Sequence, residues 1–349
     1  MNQRTSPKGR EDPIADTNGE RILQMVRGYW VSQIVGTLAT LDIPENLAAG
    51  PLRYDGLADK IGCDPDATYR LLRASANVGL VSELSGRRFG VTALGERLRS
   101  GVPGSMREFA IGLTAPGHWL PWGRLADVVR SGKRQTLPAL GHELFDHYRR
   151  HSFESRAFTG AMSDRSEKVA GEVARLLDTS KATHIVDVGG ASGTMIAALL
   201  QRNPALHGTI LDLAHVAAEA RVAVAARGLA SRCQVVEGDF FESVPEADIH
   251  ILKWVVHDWD DAQSVRILTN CARSLRANGR VILVECVLPE DGNASQALLS
   301  DLNMLVLLPG RERTAIQYRR LLEAAGLQLV RIIETDTPMQ MIEASLAPS

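Results

Sequence analysis

The chain has 349 residues, with 39 Lys and Arg against 41 Asp and Glu, for a net charge of −2. That balance argues against a protein built chiefly to hold nucleic acid or an acidic membrane surface. Apolar residues at 45% and charged residues at 23% fit an ordinary globular protein of about two domains, not a disordered chain. The four cysteines (Cys63, Cys233, Cys271, Cys286) lie far apart with no C-x-x-C pair. Neither a disulfide framework nor a structural zinc site is expected, and a reducing, cytoplasmic setting is.

Residues 1–17 are polar, carry both charge signs and read as a disordered tail without a signal-peptide core. Ile22–Leu41 bears apolar residues around its whole helical circumference, among them Ile22, Met25, Val26, Trp30 and Ile34. Such a helix must be buried in a core or against another subunit. Gln24, Arg27, Ser32 and Gln33 interrupt it too often for a membrane span. A helix at Leu57–Ile61, another opened by Asp64-Pro65, and a hairpin turning at Ser85-Gly86 complete a winged helix-turn-helix layout over residues 18–105. Between Leu57 and Ser100 seven basic residues meet five acidic ones, and the second helix opens with Asp64 and Asp66. That charge pattern favours a structural or dimerising role over DNA binding.

Residues 106–180 read as a helical linker and substrate-pocket segment. Trp119, Trp122, Phe145, Phe158 and Met162 in it suit the wall of a pocket for a flat organic molecule. His118, His142, His147 and His151 lack metal-ligand spacing. From residue 181 to 349 strands alternate with helices. The strands are expected at 184–189, 208–213, 233–239, 247–254, 280–286, 327–335 and 339–346, with helices such as Ala262–Ala277 and Ala315–Ala325 between them. The fold class is therefore α/β, a doubly wound, largely parallel sheet covered on both faces. Too few residues separate the last two strands for a crossover helix, so the seventh runs antiparallel.

The first strand leads into VDVGGASGTM, which fails the G-x-G-x-x-G fingerprint of NAD-binding folds. Its spacing, D-x-G-x-A-x-G over Asp187, Gly189, Ala191 and Gly193, resembles the nucleoside-binding motif of S-adenosylmethionine-dependent methyltransferases. Asp212 ends the second strand 19 residues beyond Gly193, placed to accept hydrogen bonds from ribose hydroxyls. Asp239, in GDFF, is placed to receive an adenine amino group under the ring of Phe240. Either acid alone reads as a helix N-cap; acids at three successive strand ends point to a ligand. His257, in LKWVVHDWDD, follows the fourth strand beside Trp254, Asp258 and Trp259, at the sheet edge where ligands bind. Imidazole titrates near neutrality and can take a proton from a substrate hydroxyl. Glu285 and Glu312 are candidates to orient it.

VDVGG, LDLAHV, GDFF, LKWVVHDWDD, GRVILVEC and DLNMLVLLPGRERT, in that order, resemble the plant-type small-molecule O-methyltransferase family and its bacterial natural-product branch, over roughly residues 20–349. The resemblance implies a seven-stranded class I methyltransferase sheet behind a winged-helix-like dimerisation domain. It further implies a homodimer that uses S-adenosylmethionine, without a metal, to methylate a hydroxyl of a phenolic or polyketide-like natural product. His257 would be the base, flanked by Glu285 and Glu312. Gly189, Asp212, Asp239, Phe240 and Lys253 would line the cofactor site, with Ser166 at the cofactor's amino-acid end. Phe158, Met162, Met304 and Asp258 would contact the acceptor. Ala191 departs from the family's usual middle glycine. Methylation at carbon or nitrogen, a cofactor-dependent reaction without methyl transfer, and a winged-helix regulator are the alternatives.

Overall fold

A computed structural model describes residues 17–291 and 295–347. The expected tail over residues 1–17 lies outside the described residues, apart from Thr17, which opens the first helix. The chain divides into two compact units, one ending at Val102 and one beginning at Pro103. Among the described residues no helix is long and apolar enough to cross a membrane.

In the first unit, helix Thr17–Thr40 precedes β1 (Leu52–Arg53), helices Tyr54–Ile61 and Pro65–Asn77, and the hairpin of β2 (Val81–Leu84) and β3 (Arg88–Val91). Asp64 caps the second of these helices by accepting the Ala67 N–H at 2.8 Å. β1 joins the hairpin as a third antiparallel strand beside β3, a pairing too short to read from sequence. Leu38, Ile43, Leu57, Leu72 and Phe89 form the buried centre. Within one chain, however, the first helix is not buried all round: Ile22, Met25, Val26 and Tyr29 are each more than half exposed. Of the two covers expected for it, the chain's own core is therefore excluded.

The second unit starts with helices, from Arg107–Thr114 to the long Ser152–Leu176, and continues into the sheet. Ser152–Leu176 packs against helices Arg107–Thr114 and Thr194–Arg202, within the same unit as the sheet. The strands are β4 (His184–Val188), β5 (His207–Asp212), β6 (Cys233–Glu237), β7 (Ala247–Lys253), β8 (Leu275–Glu285), the short β9 (Val287–Leu288) and β10 (Arg313–Thr314), then β11 (Leu327–Glu334) and β12 (Gln340–Leu346). Seven of them form one sheet in the order β11-β12-β8-β7-β4-β5-β6. β12 is antiparallel to both neighbours and lies between β11 and β8, inside the sheet rather than at its margin. The helix before β8 ends at Arg273, short of the expected Ala277, because Leu275 already pairs with Ala247.

Strand periodicity of two splits the core between the faces. Ile185, Ile282 and Val284 pack on one side with Ile196 and Ile210. Val186, Val281 and Leu283 pack on the other with Leu322 and Ile342. The chain runs outward from β4 to β6, then returns to place β7 and β8 on the opposite side of β4. The order reverses there, and the carboxyl ends of β4, β5, β7 and β8 share one edge. Ligands of open α/β sheets bind at such a switch point.

Candidate active site

At the end of β4 the backbone turns sharply. Gly189 and Gly193 have φ of +68° and +70°, and Ala191, between them, has φ of +47°. Ala191 therefore takes a left-handed conformation that costs a side-chain-bearing residue roughly 1–3 kcal/mol. The turn is tight for a second reason: a Cβ on Gly190 would stand 2.7 Å from Asp187 Cγ, and one on Gly189 3.1 Å from Val255 Cγ2. Bare backbone at Gly189 and Gly190 forms one side of a cavity whose other walls include Phe158, Met162, Ser166, Asp187 and Lys253. Burial pushes the Asp187 carboxyl up to about 7, against the pull of Lys253. Sequence reasoning treated Asp187 only as the head of the glycine motif; here it is a buried wall.

Asp212 closes this turn from β5. Its two carboxylate oxygens accept the Ala191 N–H at 2.9 Å and the Leu213 N–H at 2.8 Å. Asp239 Oδ1 accepts the Phe241 N–H at 2.8 Å, and the Phe240 ring edge reaches toward Gly189. Ser166 Oγ donates to the Met162 carbonyl within its own helix. Lys253 lays its ammonium over the Trp254 ring, 4.2 Å from the centroid.

A second cluster begins four residues after Lys253. His257 lies on the turn Val256–Asp258 and is only 8% exposed. Its Nδ1–H donates to Glu312 Oε1 at 3.1 Å, while Glu285 Oε2 stands 3.8 Å from the same nitrogen. Asp258 Oδ1 is 3.3 Å from Nε2, so the acid expected to touch the acceptor sits at the opposite ring nitrogen. The two glutamates divide the work. Glu312 holds the ring, and Glu285 Oε1 instead accepts the N–H groups of Val255 and Val256 at 3.2 and 3.0 Å, fixing the loop. Burial opposes charge on the imidazole, yet Glu285, Asp258 and Glu312 outweigh it and push His257 up to about 10. Burial in turn pushes Glu285 up to about 7 and Asp258 up to about 6, against the pull of the imidazolium.

Residues 257 and 312 meet because β9 and β10 pair in parallel, with Arg313 opposite Val287. That short ladder brings the end of β8, carrying Glu285, level with Glu312. Arg313, buried to 1%, donates to the carbonyls of Val256 and Trp259 at 3.1 and 2.8 Å and to Asp261. Sequence reasoning passed over it, although a charged residue inside an otherwise apolar packing segment is the signal that such a clamp gives. Gly310 was also missed. A Cβ there would fall 1.8 Å from the His257 carbonyl oxygen, so only glycine lets this segment press against the turn. Tyr318 lies fully buried near the two glutamates, and its hydroxyl has no partner among the described residues.

The remaining expected residues bracket both clusters. Phe158 and Met162 line the cavity. Met304 is buried one helical turn from Ser300, whose hydroxyl donates to Glu312 Oε1 at 2.6 Å. His257 and Met304 do not line the glycine-turn cavity itself. Val255, which a Cβ on Gly189 would meet at 3.1 Å, and the field of Lys253 at Asp258 link the two groups. Ligand atoms of His257, Glu285 and Glu312 also lie within 4.8 Å of one another, near enough to surround a cation. Two of the carboxylate oxygens already accept backbone or hydroxyl hydrogens.

Comparison with known proteins then decides the family. Residues 122–328 match the O-methyltransferase domain and residues 23–100 the O-methyltransferase dimerisation domain. The chain belongs to the O-methyltransferase family. It is 36% identical to the phenazine O-methyltransferase of Lysobacter antibioticus, over 93% of this chain and 95% of that one. The solved mitomycin 7-O-methyltransferase superposes with a TM-score of 0.90 at 34% identity, covering 95% of this chain and 98% of that one. Human N-acetylserotonin methyltransferase, solved in complex with S-adenosylmethionine, gives 0.87 at 27% identity, covering 97% and 100%. This methyltransferase thus combines the family's sheet with a buried imidazole–carboxylate cluster at its ligand-binding edge.

Gly310→Ala should lower the stability of this methyltransferase by about 1–3 kcal/mol or more, the usual cost of overpacking. Urea melts check this, and an unchanged midpoint would show that the segment is free to move away from His257.

Proposed function

We propose that this chain transfers the methyl group of S-adenosylmethionine to a hydroxyl of a small aromatic acceptor, with His257 as general base. The observation that carries the reading is the buried His257–Glu312 contact on the same sheet edge as the glycine turn. The sulfonium supplies an electrophilic methyl whose S–C bond breaks as the acceptor oxygen attacks. All else falls to the protein.

Bare backbone at Gly189 and Gly190 admits the cofactor against the turn, and Asp212 offers its carboxylate to the ribose hydroxyls. Asp239 and Phe240 serve the adenine, while Lys253 and Ser166 complete the walls. Phe158, Met162 and Met304 supply an apolar face for a flat ring. A phenol has a pKa near 10, so at pH 7 about one molecule in a thousand is ionised. Alignment alone therefore leaves a proton to remove. Glu312 occupies His257 Nδ1, so Nε2 is the nitrogen that takes the hydroxyl proton, and the carboxylates stabilise the imidazolium formed. The acceptor class rests on Phe158 and Met162 in the cavity wall and on the phenazine relative's name.

His257→Ala should lower kcat by about 10²–10⁴-fold while leaving calorimetric cofactor affinity nearly unchanged. Near-wild-type turnover on a phenol whose product is confirmed as the methyl ether would refute the general-base role.

The pH dependence follows from the same cluster. His257 is raised, so its imidazolium persists at neutral pH and the base-competent form grows as pH rises. The acceptor kcat/KM should climb with pH well beyond 6.5. Glu312→Gln removes one negative charge and should shift that rise to lower pH. Ionisation of the phenol also gives a rising limb, but one that the substitution would not move. A profile unchanged in Glu312→Gln would therefore assign the limb to the acceptor.

No metal enters this reading. Turnover should survive exhaustive EDTA treatment, and activity lost to EDTA but restored by Mg²⁺ or Zn²⁺ would turn His257, Glu285 and Glu312 into a metal centre.

The exposed apolar face of helix Thr17–Thr40 and the match to the dimerisation domain support a homodimer. An obligate interface of this kind buries more than about 2,000 Å² in total. Light scattering at micromolar concentration should give twice the chain mass; a monomer would contradict the proposal.

A further inference from the structure

Beside Phe158, which lines the cavity, stands a buried polar pair that the reaction above does not use. The Tyr148 ring stacks on Phe158 at 4.9 Å, and the His118 ring lies 5.9 Å from Phe158 and 6.4 Å from Tyr148, so the three rings form one group. Both residues are almost fully buried. Tyr148 Oη and His118 Nδ1 are 2.9 Å apart. The tyrosine hydroxyl has no other acceptor among the described residues, and a buried O–H needs one, so it donates to Nδ1. Burial holds His118 down to about 4, against the nearby Glu154, so the ring carries a single proton at physiological pH. With Nδ1 accepting, that proton is on Nε2. Nε2–H is thus a fixed, neutral donor, and no described residue accepts from it.

His118 belongs to helix Pro116–Trp122, whose Trp122 Nε1–H donates to Asn303 Oδ1 at 2.9 Å. Asn303 immediately precedes Met304. The same few residues therefore tie His118 to both Phe158 and Met304, the residues assigned above to the acceptor's flat face.

We propose that His118 is the specificity-determining residue for the acceptor, its Nε2–H donating to a carbonyl oxygen carried by the aromatic ring system. This rests on the methyl-transfer reading, and it narrows the substrate class from phenols at large to hydroxylated aromatic ketones or quinone-like rings. A site built around a hydrogen bond rejects an analogue that cannot accept it, because the buried donor is then left alone. Glu154, which accepts the Gly117 N–H at 2.9 Å and pairs with His147, holds the start of the helix that carries His118.

The test uses 7-hydroxy-1-tetralone and 5,6,7,8-tetrahydro-2-naphthol, which differ by a carbonyl in place of a methylene. Calorimetry on the full-length protein saturated with S-adenosylhomocysteine should show the ketone binding about tenfold more tightly. His118→Phe keeps the ring against Tyr148 and Phe158 and should abolish that preference, with the S-adenosylhomocysteine Kd unchanged. Tyr148→Phe, which frees Nδ1 and so unlocks the tautomer, should reduce the preference at least twofold and guards against misfolding of the first variant. Equal affinity of the wild-type protein for the two compounds, no binding of either, or a preference that survives both substitutions would overturn the proposal. Failure of S-adenosylhomocysteine to bind would instead refute the methyl-transfer reading.

Discussion

An imidazole removed from water among three carboxylates is the constraint around which the larger unit is organised. Each buried charge costs several kcal/mol unless its neighbours repay it. Glu285 is repaid by two backbone N–H groups and Glu312 by Ser300 and His257. His257 stays protonated because the carboxylates around it outweigh its burial. Removing any member leaves an uncompensated partner. The elements nearby can therefore be understood as fixing this cluster: the β9–β10 ladder sets the level of the two glutamates, Arg313 anchors the turn through its carbonyls, and Gly310 permits the close approach.

The sheet explains why the cluster stands beside the glycine turn. β4 and β7 are parallel neighbours, so the chain leaves both at the same edge, carrying Gly189 from one and His257 from the other. The two loops approach so closely that a Cβ on Gly189 would meet Val255 at 3.1 Å. A cofactor held at the turn and a base held on the next loop are thereby set by backbone hydrogen bonds, with little left to flexible side chains. For a displacement reaction that needs alignment and the loss of one proton, rigid placement is the main contribution a protein can make.

Much of this was legible in the sequence. The strand runs, the glycine turn with its departure at Ala191, and the acids at the ends of β5 and β8 announce themselves through periodicity and position. So does the antiparallel course of β12, from the brevity of its connection. Its place between β11 and β8 did not, because pairing partners are chosen by three-dimensional packing rather than by chain order. Arg313, Gly310 and Tyr318 were hidden for a similar reason. Their meaning lies in what touches them from some fifty residues away, as Arg313 does Val256 and Gly310 does His257. The helix Thr17–Thr40 shows the limit from the other side. Its pattern demanded a cover, but a single chain leaves Met25 and Val26 exposed, and composition alone cannot say that the cover belongs to another molecule.

The central claim is electrostatic: buried carboxylates hold one proton on His257 Nδ1 and make Nε2 unusually basic. Nitrogen-15 NMR of the histidine-labelled protein reads both ring nitrogens directly. The account predicts that His257 Nδ1 stays protonated across the neutral and alkaline range while Nε2 gives up its proton only well above pH 6.5. Nε2 losing its proton at or below pH 6.5, or an unprotonated Nδ1 at neutral pH, would contradict it.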